Sequence, residues 1–155
     1  MKRSKIVFAM LAAVGLFVAV GCQIGEPAKP APTKSLYERL GGEKGIRDVV
    51  QDFIPRTAAN PKVNFFRDKK FEGKVDVKRL ENLLVEFVGS ATGGPQKYTG
   101  RDMEKTHTGM KITDAEFDAA AGDLKASLIA KGVKEPELGE VLTIVGTTRK
   151  SMVGK

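Results

Sequence analysis

Residues 103–113, MEKTHTGMKIT, hold the only histidine of this 155-residue chain, His107. One imidazole cannot form a multi-histidine metal site, and no charge relay can be assembled around it from a second histidine. The only cysteine, Cys22, lies far away in sequence, so no intrachain disulfide can form. His107 is therefore either an incidental surface residue or the one bond around which the molecule is organised.

Cys22 points to a different chemistry. The chain opens MKRSK, continues as the apolar run IVFAMLAAVGLFVAV and reaches Gly21-Cys22. A basic start, an apolar run and a small residue before a cut site are the marks of an export signal over residues 1–21. Fifteen helical residues span roughly 22 Å, short of a ~30 Å hydrocarbon core, so a permanent membrane helix fits poorly. "AVGC" resembles a bacterial lipobox, in which the cysteine thiol is lipidated and becomes the mature N-terminus. It departs from the usual pattern at Ala19, where Leu is commoner. Residues 22–34, with Pro27, Pro30 and Pro32, then read as a Pro-rich tether. The expectation is an exported lipoprotein, anchored in a bacterial membrane through Cys22 and facing the periplasm or the cell exterior. Gln23 after the cysteine carries no inner-membrane retention cue.

Removing the signal also changes the charge. Lys2, Arg3 and Lys5 leave with it, so 26 − 3 = 23 bases face 19 acids, a net +4. That excess is ordinary and is not clustered in the sequence, which argues against a nucleic-acid partner.

Residues 35–155 form one domain, and helical spacing dominates it. SLYERLGG predicts a short helix ended by Gly41-Gly42. A second helix starts near Glu43 with Ile46, Val49, Val50, Phe53 and Ile54 on one face, and Pro55 should kink or loosen its end. NPKVNFFRDKKFEGKVD reads as a long connection with two adjacent aromatics, Phe65 and Phe66. A third helix, Val77 to Ala91, carries Leu80, Leu83, Leu84, Phe87 and Val88 on one stripe. TGGPQKYTG cannot be regular, and RDMEKTHTG is a brief helix at most. TDAE, Thr113 to Glu116, is a capping box that opens a long helix with Phe117, Ala120, Ala121, Leu124 and Leu128, stopped by Gly132. Pro136 suits the first turn of a last helix with Leu138, Val141, Leu142 and Val145. The fold class is all-α.

Periodicity alone would permit a plain four-helix bundle, but several separated strings together say more. SLYERLGG, VVQDF, NFF, GGPQKYTG and MEKTHTGMKIT resemble, in order and approximate spacing, the group I truncated haemoglobins. The resemblance runs from Ser35 to about Lys150. It implies a truncated globin-like, two-over-two helical sandwich around a haem, with the proximal helix reduced to a turn. It makes His107 the proximal ligand of the haem iron, leaving the sixth position open for a gas. Phe66 would pack on the distal haem face with Phe53 and Phe87 nearby. Met103, Ile112, Phe117 and Val145 would line the proximal side and floor. Tyr98 and Arg101 would meet the propionates, since a phenol and a guanidinium suit carboxylates. No Cys-X-X-Cys-His occurs, so covalent haem attachment is excluded here and a non-covalent haem b is expected.

The distal side departs from the family. Its second helix usually carries Phe-Tyr, whose tyrosine hydroxyl bonds oxygen, and a glutamine often assists from the third helix. Here the pair is Phe53-Ile54, and counting back from Gly93-Gly94-Pro95 puts Leu80 and Leu84 at the two distal positions. Ile54, Leu80, Leu84 and Phe66 should thus make an apolar pocket. The connection from Phe66 to Val77 is also longer, which leaves room for a donor such as Lys74 or Lys78 to fold in.

Three functions compete on these residues. The first is a lipid-anchored haem protein that binds O2, NO or CO reversibly, and the apolar pocket tilts it toward CO and NO. The second is an enzyme, a nitric oxide dioxygenase or a peroxidase-like protein served by an external reductase. It lacks a distal donor or acid–base group, and the chain has no room for a flavin domain. The third is an interaction module that no longer holds haem, against which His107, Phe66 and Tyr98 speak.

Overall fold

A computed structural model describes residues 34–155 as seven helices. The signal and nearly all of the tether, including Cys22, lie outside the described residues. No described helix is long and apolar enough to cross a membrane.

The first helix, α1 (Leu36–Arg39), is opened by a capping box between Ser35 and Glu38. Gly41 and Gly42 follow at φ 86° and 67°, a left-handed geometry that glycine enters freely, and the chain turns at once into α2 (Gly42–Ala59). This long helix continues through Pro55 to Ala59, against the expected interruption. Pro55 lies on the exposed side. The carbonyl it deprives of a partner, four residues back at exposed Gln51, is therefore open to water.

The third helix, α3 (Val77–Ala91), has the bounds its apolar stripe predicts, with Asp76 as N-cap. The connection before it is a series of tight turns in which Asn64, Arg67, Asp68 and Lys69 all have positive φ. Helix α4 (Met103–His107) is five residues long and opens on Asp102, which accepts from the amides of Glu104 and Lys105. Helix α5 (Asp114–Ala130) begins at the Thr113–Glu116 capping box, and Gly132 follows its C-cap, Lys131, at φ 81°. Helix α6 (Glu137–Gly146) has Pro136 as its N-cap, one position earlier than expected. A further four-residue helix, α7 (Arg149–Met152), was not legible in the periodicity.

Two antiparallel pairs follow from the apolar faces. Helix α2 packs on both α3 and α5, and α5 packs on α6. One core cluster joins Leu36, Val49, Leu124, Leu128, Leu138 and Val141, so it binds α1, α2, α5 and α6. The other joins Ile46, Val50, Ile54 and Val85 between α2 and α3. Glu81 of α3, only 8% exposed, accepts from Arg47 and Gln51 of α2 at 2.8 and 3.1 Å, which pins the second pair in register. The chief partner of α4 is α7, and the parallel bridge of Ile112 with Val153 fixes the segment after the histidine. This is the two-over-two helical sandwich, with the α4 turn set at its side.

Candidate functional site

His107 ends α4 and is half-buried. Its Nδ1 lies 2.7 Å from the carbonyl oxygen of Met103, one turn back. A carbonyl can only accept, so Nδ1 carries the proton and the neutral ring keeps its lone pair on Nε2. That is the tautomer a metal-ligating histidine needs, with the second nitrogen oriented by a backbone oxygen. Among the described residues no cluster of three or more His, Cys, Asp or Glu could hold a metal ion. A metal bound at Nε2 must bring its remaining ligands with it, as the iron of a porphyrin does.

The side chains expected around such a group are mostly left half-covered. Phe53, Phe66, Leu80, Leu84, Phe87, Tyr98, Met103, Ile112 and Val145 are all intermediate in exposure, whereas Val85 next to Leu84 is 2% exposed. Large apolar side chains left half-covered in a domain that also half-buries a lone imidazole suit a flat apolar ligand. The residues present fit a haem on this ground and on the histidine tautomer.

Leu80, Leu84 and Ile54 share the α2–α3 cluster, so three of the four expected distal residues come together. Ile54 is 6% exposed and is part of the core as much as of any pocket wall. Phe66 stands outside that cluster and packs edge-to-face on Phe65 at 5.1 Å. Phe53 belongs with Leu124, Leu128 and Val145 on the α5–α6 side. A surface depression of about 570 Å³ lies between the end of α2, the connection and Glu116. It takes in Phe65 and Phe66 but neither His107 nor the α3 leucines, and is thus separate from the site.

Phe87 meets Tyr98 edge-to-face at 5.6 Å. The Tyr98 hydroxyl donates to the Arg101 carbonyl at 3.1 Å. Burial pushes its phenol above the usual range, and the charges of Glu86 and Asp102 add to this, so it remains a donor. The Arg101 side chain is exposed. Phe117 is 5% exposed and lies beneath the Arg149 guanidinium at 4.4 Å. Ile112 is held through its backbone, since its carbonyl accepts from the Gly154 amide at 2.9 Å.

The lysines that had room to fold inward do not. Lys78 reaches Glu81 at 3.2 Å with its side chain 70% exposed, and Lys74 is exposed. The inward-held cation of the connection is Arg67, which sequence reasoning missed. It donates to the carbonyls of Val63 and Met110 and to Glu116. Nothing in the sequence marks a partner 49 residues away. Thr57 was missed for a different reason: with α2 expected to falter at Pro55, its place on the inward face went unread.

Comparison with known proteins agrees with this geometry. Residues 35–153 match the Bacterial-like globin family. The chain is 37% identical over 115 residues to the group 1 truncated hemoglobin GlbN of Mycolicibacterium paratuberculosis, covering 74% of this chain and 79% of that one. It superposes on the truncated hemoglobin of Tetrahymena pyriformis, Fe(III) form, with a TM-score of 0.70 at 31% identity, covering 79% of this chain and all (100%) of the other. The 2/2 hemoglobin of Synechococcus sp. PCC 7002, solved in the cyanomet state with covalently attached heme, gives a TM-score of 0.69 at 30% identity, with coverage of 79% and 100%. Family match, sequence relatives and backbone agree: this chain belongs to the group I truncated haemoglobins.

Proposed function

We propose that the protein binds diatomic gases reversibly at a haem held through His107, and that its distal wall is apolar. The observation that carries this reading is the 2.7 Å approach of His107 Nδ1 to the Met103 carbonyl, which leaves Nε2 as the free donor. The haem, when bound, supplies an iron centre with one position for a gas. Met103, Ile112 and Val145 would line its proximal side and Leu80, Leu84 and Phe87 the other, while Tyr98 and Arg101 would meet its carboxylates.

The α2–α3 wall has selectivity consequences. Dioxygen draws negative charge from a ferrous haem and gains from a hydrogen-bond donor, whereas CO and NO gain less. A bond to a charged group contributes roughly 1.5–3 kcal/mol, and each 1.4 kcal/mol is a factor of ten. Ile54, Leu80 and Leu84 offer no such donor, which favours CO and NO over slow oxygen storage.

Haem binding here is non-covalent in this reading. The only cysteine is at position 22, and the only histidine would hold the iron. Covalent attachment in the Synechococcus protein makes this a matter for direct test by acid–butanone extraction. The signal and lipobox support export and anchoring through Cys22. Mass spectrometry of the membrane-extracted protein should find a diacylglycerol-modified N-terminus, which Cys22→Ser abolishes.

The test of the central reading is an absorption spectrum of the full chain titrated with haemin, ferric and ferrous, with and without CO. A Soret band saturating at one haem per chain, shifted by CO, is expected. Absence of a saturable Soret band would overturn the assignment.

A further inference from the structure

We infer that Thr57 is the hydrogen-bonding group of the gas pocket, standing in for the missing distal tyrosine from one turn further along α2. The inference rests on the haem reading above and adds a polar member to a wall that is otherwise apolar.

Thr57 is 2% exposed, and its Oγ1 is buried with no hydrogen-bond partner. A buried hydroxyl is costly to enclose without a partner. A threonine in a helix can turn its hydroxyl back to the carbonyl four residues earlier. Thr92 and Thr143 do so here, to Val88 and Gly139 at 2.7 and 2.8 Å, but Thr57 does not bond Phe53.

Its place on the helix says which way it faces. At about 100° per residue, Thr57 falls about 60° from Ile54 and on the same side as Phe53. The row Ile46, Val50, Ile54 meets α3. The flanking residues Arg56 and Asn60 reach Ser127 and Asp123 of α5. Thr57 thus stands between the α3-facing and α5-facing rows, about 4.5 Å along the axis from Ile54. Ile54 already touches the cluster that includes the distal leucines Leu80 and Leu84. A small polar molecule against those leucines is the partner chemistry that an enclosed, unpaired hydroxyl suits: a water, or the outer atom of a diatomic ligand.

The experiment uses the full chain reconstituted with haemin, comparing wild type with Thr57→Val, Thr57→Ser and Thr57→Ala. The readouts are the infrared C–O stretch of the ferrous CO form, O2 and CO release rates, and thermal unfolding. Thr57→Val should move the C–O stretch to higher wavenumber and speed O2 release about tenfold, with CO release nearly unchanged. Thr57→Ser should stay close to wild type. If Thr57→Val loses haem or folds poorly, the Ser against Ala pair decides the same question. An unchanged stretch and unchanged O2 release in the hydroxyl-free variants would overturn the inference, whether or not thermal stability falls. A wild-type chain that takes up no haemin would instead overturn the haem reading beneath it.

Discussion

The Nδ1 atom of His107 donates to the carbonyl oxygen of Met103 at 2.7 Å, one turn back in a helix only five residues long. The bond fixes both the tautomer and the ring direction, and it costs the helix nothing. That carbonyl belongs to the first residue of α4 and has a second lone pair to offer the ring. The imidazole is therefore oriented by the backbone of its own helix rather than by a separate side chain.

This arrangement predicts how His107 should fail. His107→Gly removes the donor but leaves a cavity of imidazole size beside the Met103 carbonyl. The variant should lose its ferrous five-coordinate spectrum, and added imidazole should restore it. Titration by visible absorption checks this. A His107→Gly protein that keeps the wild-type ferrous spectrum without imidazole would assign the ligand elsewhere.

Ile54→Tyr should slow oxygen release by about 10- to 100-fold and leave carbon monoxide release little changed, because only oxygen gains from the new donor. Ile54 is packed at 6% exposure among Ile46, Val50 and Val85, so the larger ring also costs about 1–3 kcal/mol of stability through overpacking. Flash photolysis and stopped flow on the same preparation measure the gases, and thermal unfolding measures the cost. Equal effects on both gases would refute the polarity argument.

The residues that could be read in advance were those whose signal is local. The stripe Leu80, Leu84, Phe87 and Val88 repeats at helical spacing, and α3 has the bounds that it implies. Thr113 and Glu116 cap α5 reciprocally because the capping box needs only four residues to be recognised. The connection from Asn60 to Val75 was opaque, since Asn64, Arg67, Asp68 and Lys69 adopt positive φ for tertiary reasons that no glycine announces. Helix α7 was missed because four residues, Arg149–Met152, are too few for any period to show. His107 was legible by type and motif, while the bond that orients it required the coordinates.

Pro55 misled for an instructive reason. The proline rule concerns a lost hydrogen bond and a ring clash, but it is silent about which side of the helix carries them. Here the residue is exposed and α2 continues to Ala59. Pro55→Ala would restore the bond to the Gln51 carbonyl and relieve the clash. It should raise stability by about 1–3 kcal/mol, measured by urea unfolding, with gas release rates unchanged. A destabilised variant would show that the proline is needed for the path of α2.

The Arg67 side chain joins three stretches of the chain. Its guanidinium holds the Val63 carbonyl at 2.7 Å, the Met110 carbonyl at 3.2 Å and Glu116 at 2.8 Å. Those bonds offset a left-handed backbone at φ 47°, which costs an arginine about 1–2 kcal/mol. Both charged side chains are largely enclosed, at 14% and 15% exposure, so removing one leaves the other stranded. Arg67→Ala should therefore destabilise by about 3 kcal/mol, and the loss should loosen the turn that follows His107. Burial pushes the Glu116 carboxyl up, but Arg67 and the Thr113 amide together pull it below its ordinary value. A carboxylate depressed in the folded state stabilises fully above its unfolded pKa of about 4.3, and that contribution fades as pH falls through the folded value. Glu116→Gln should thus narrow the gap in unfolding free energy between neutral and acid solution. Urea unfolding of wild type and variant at about pH 7 and about pH 3 measures it, and an unchanged gap would show that other carboxylates carry the acid sensitivity.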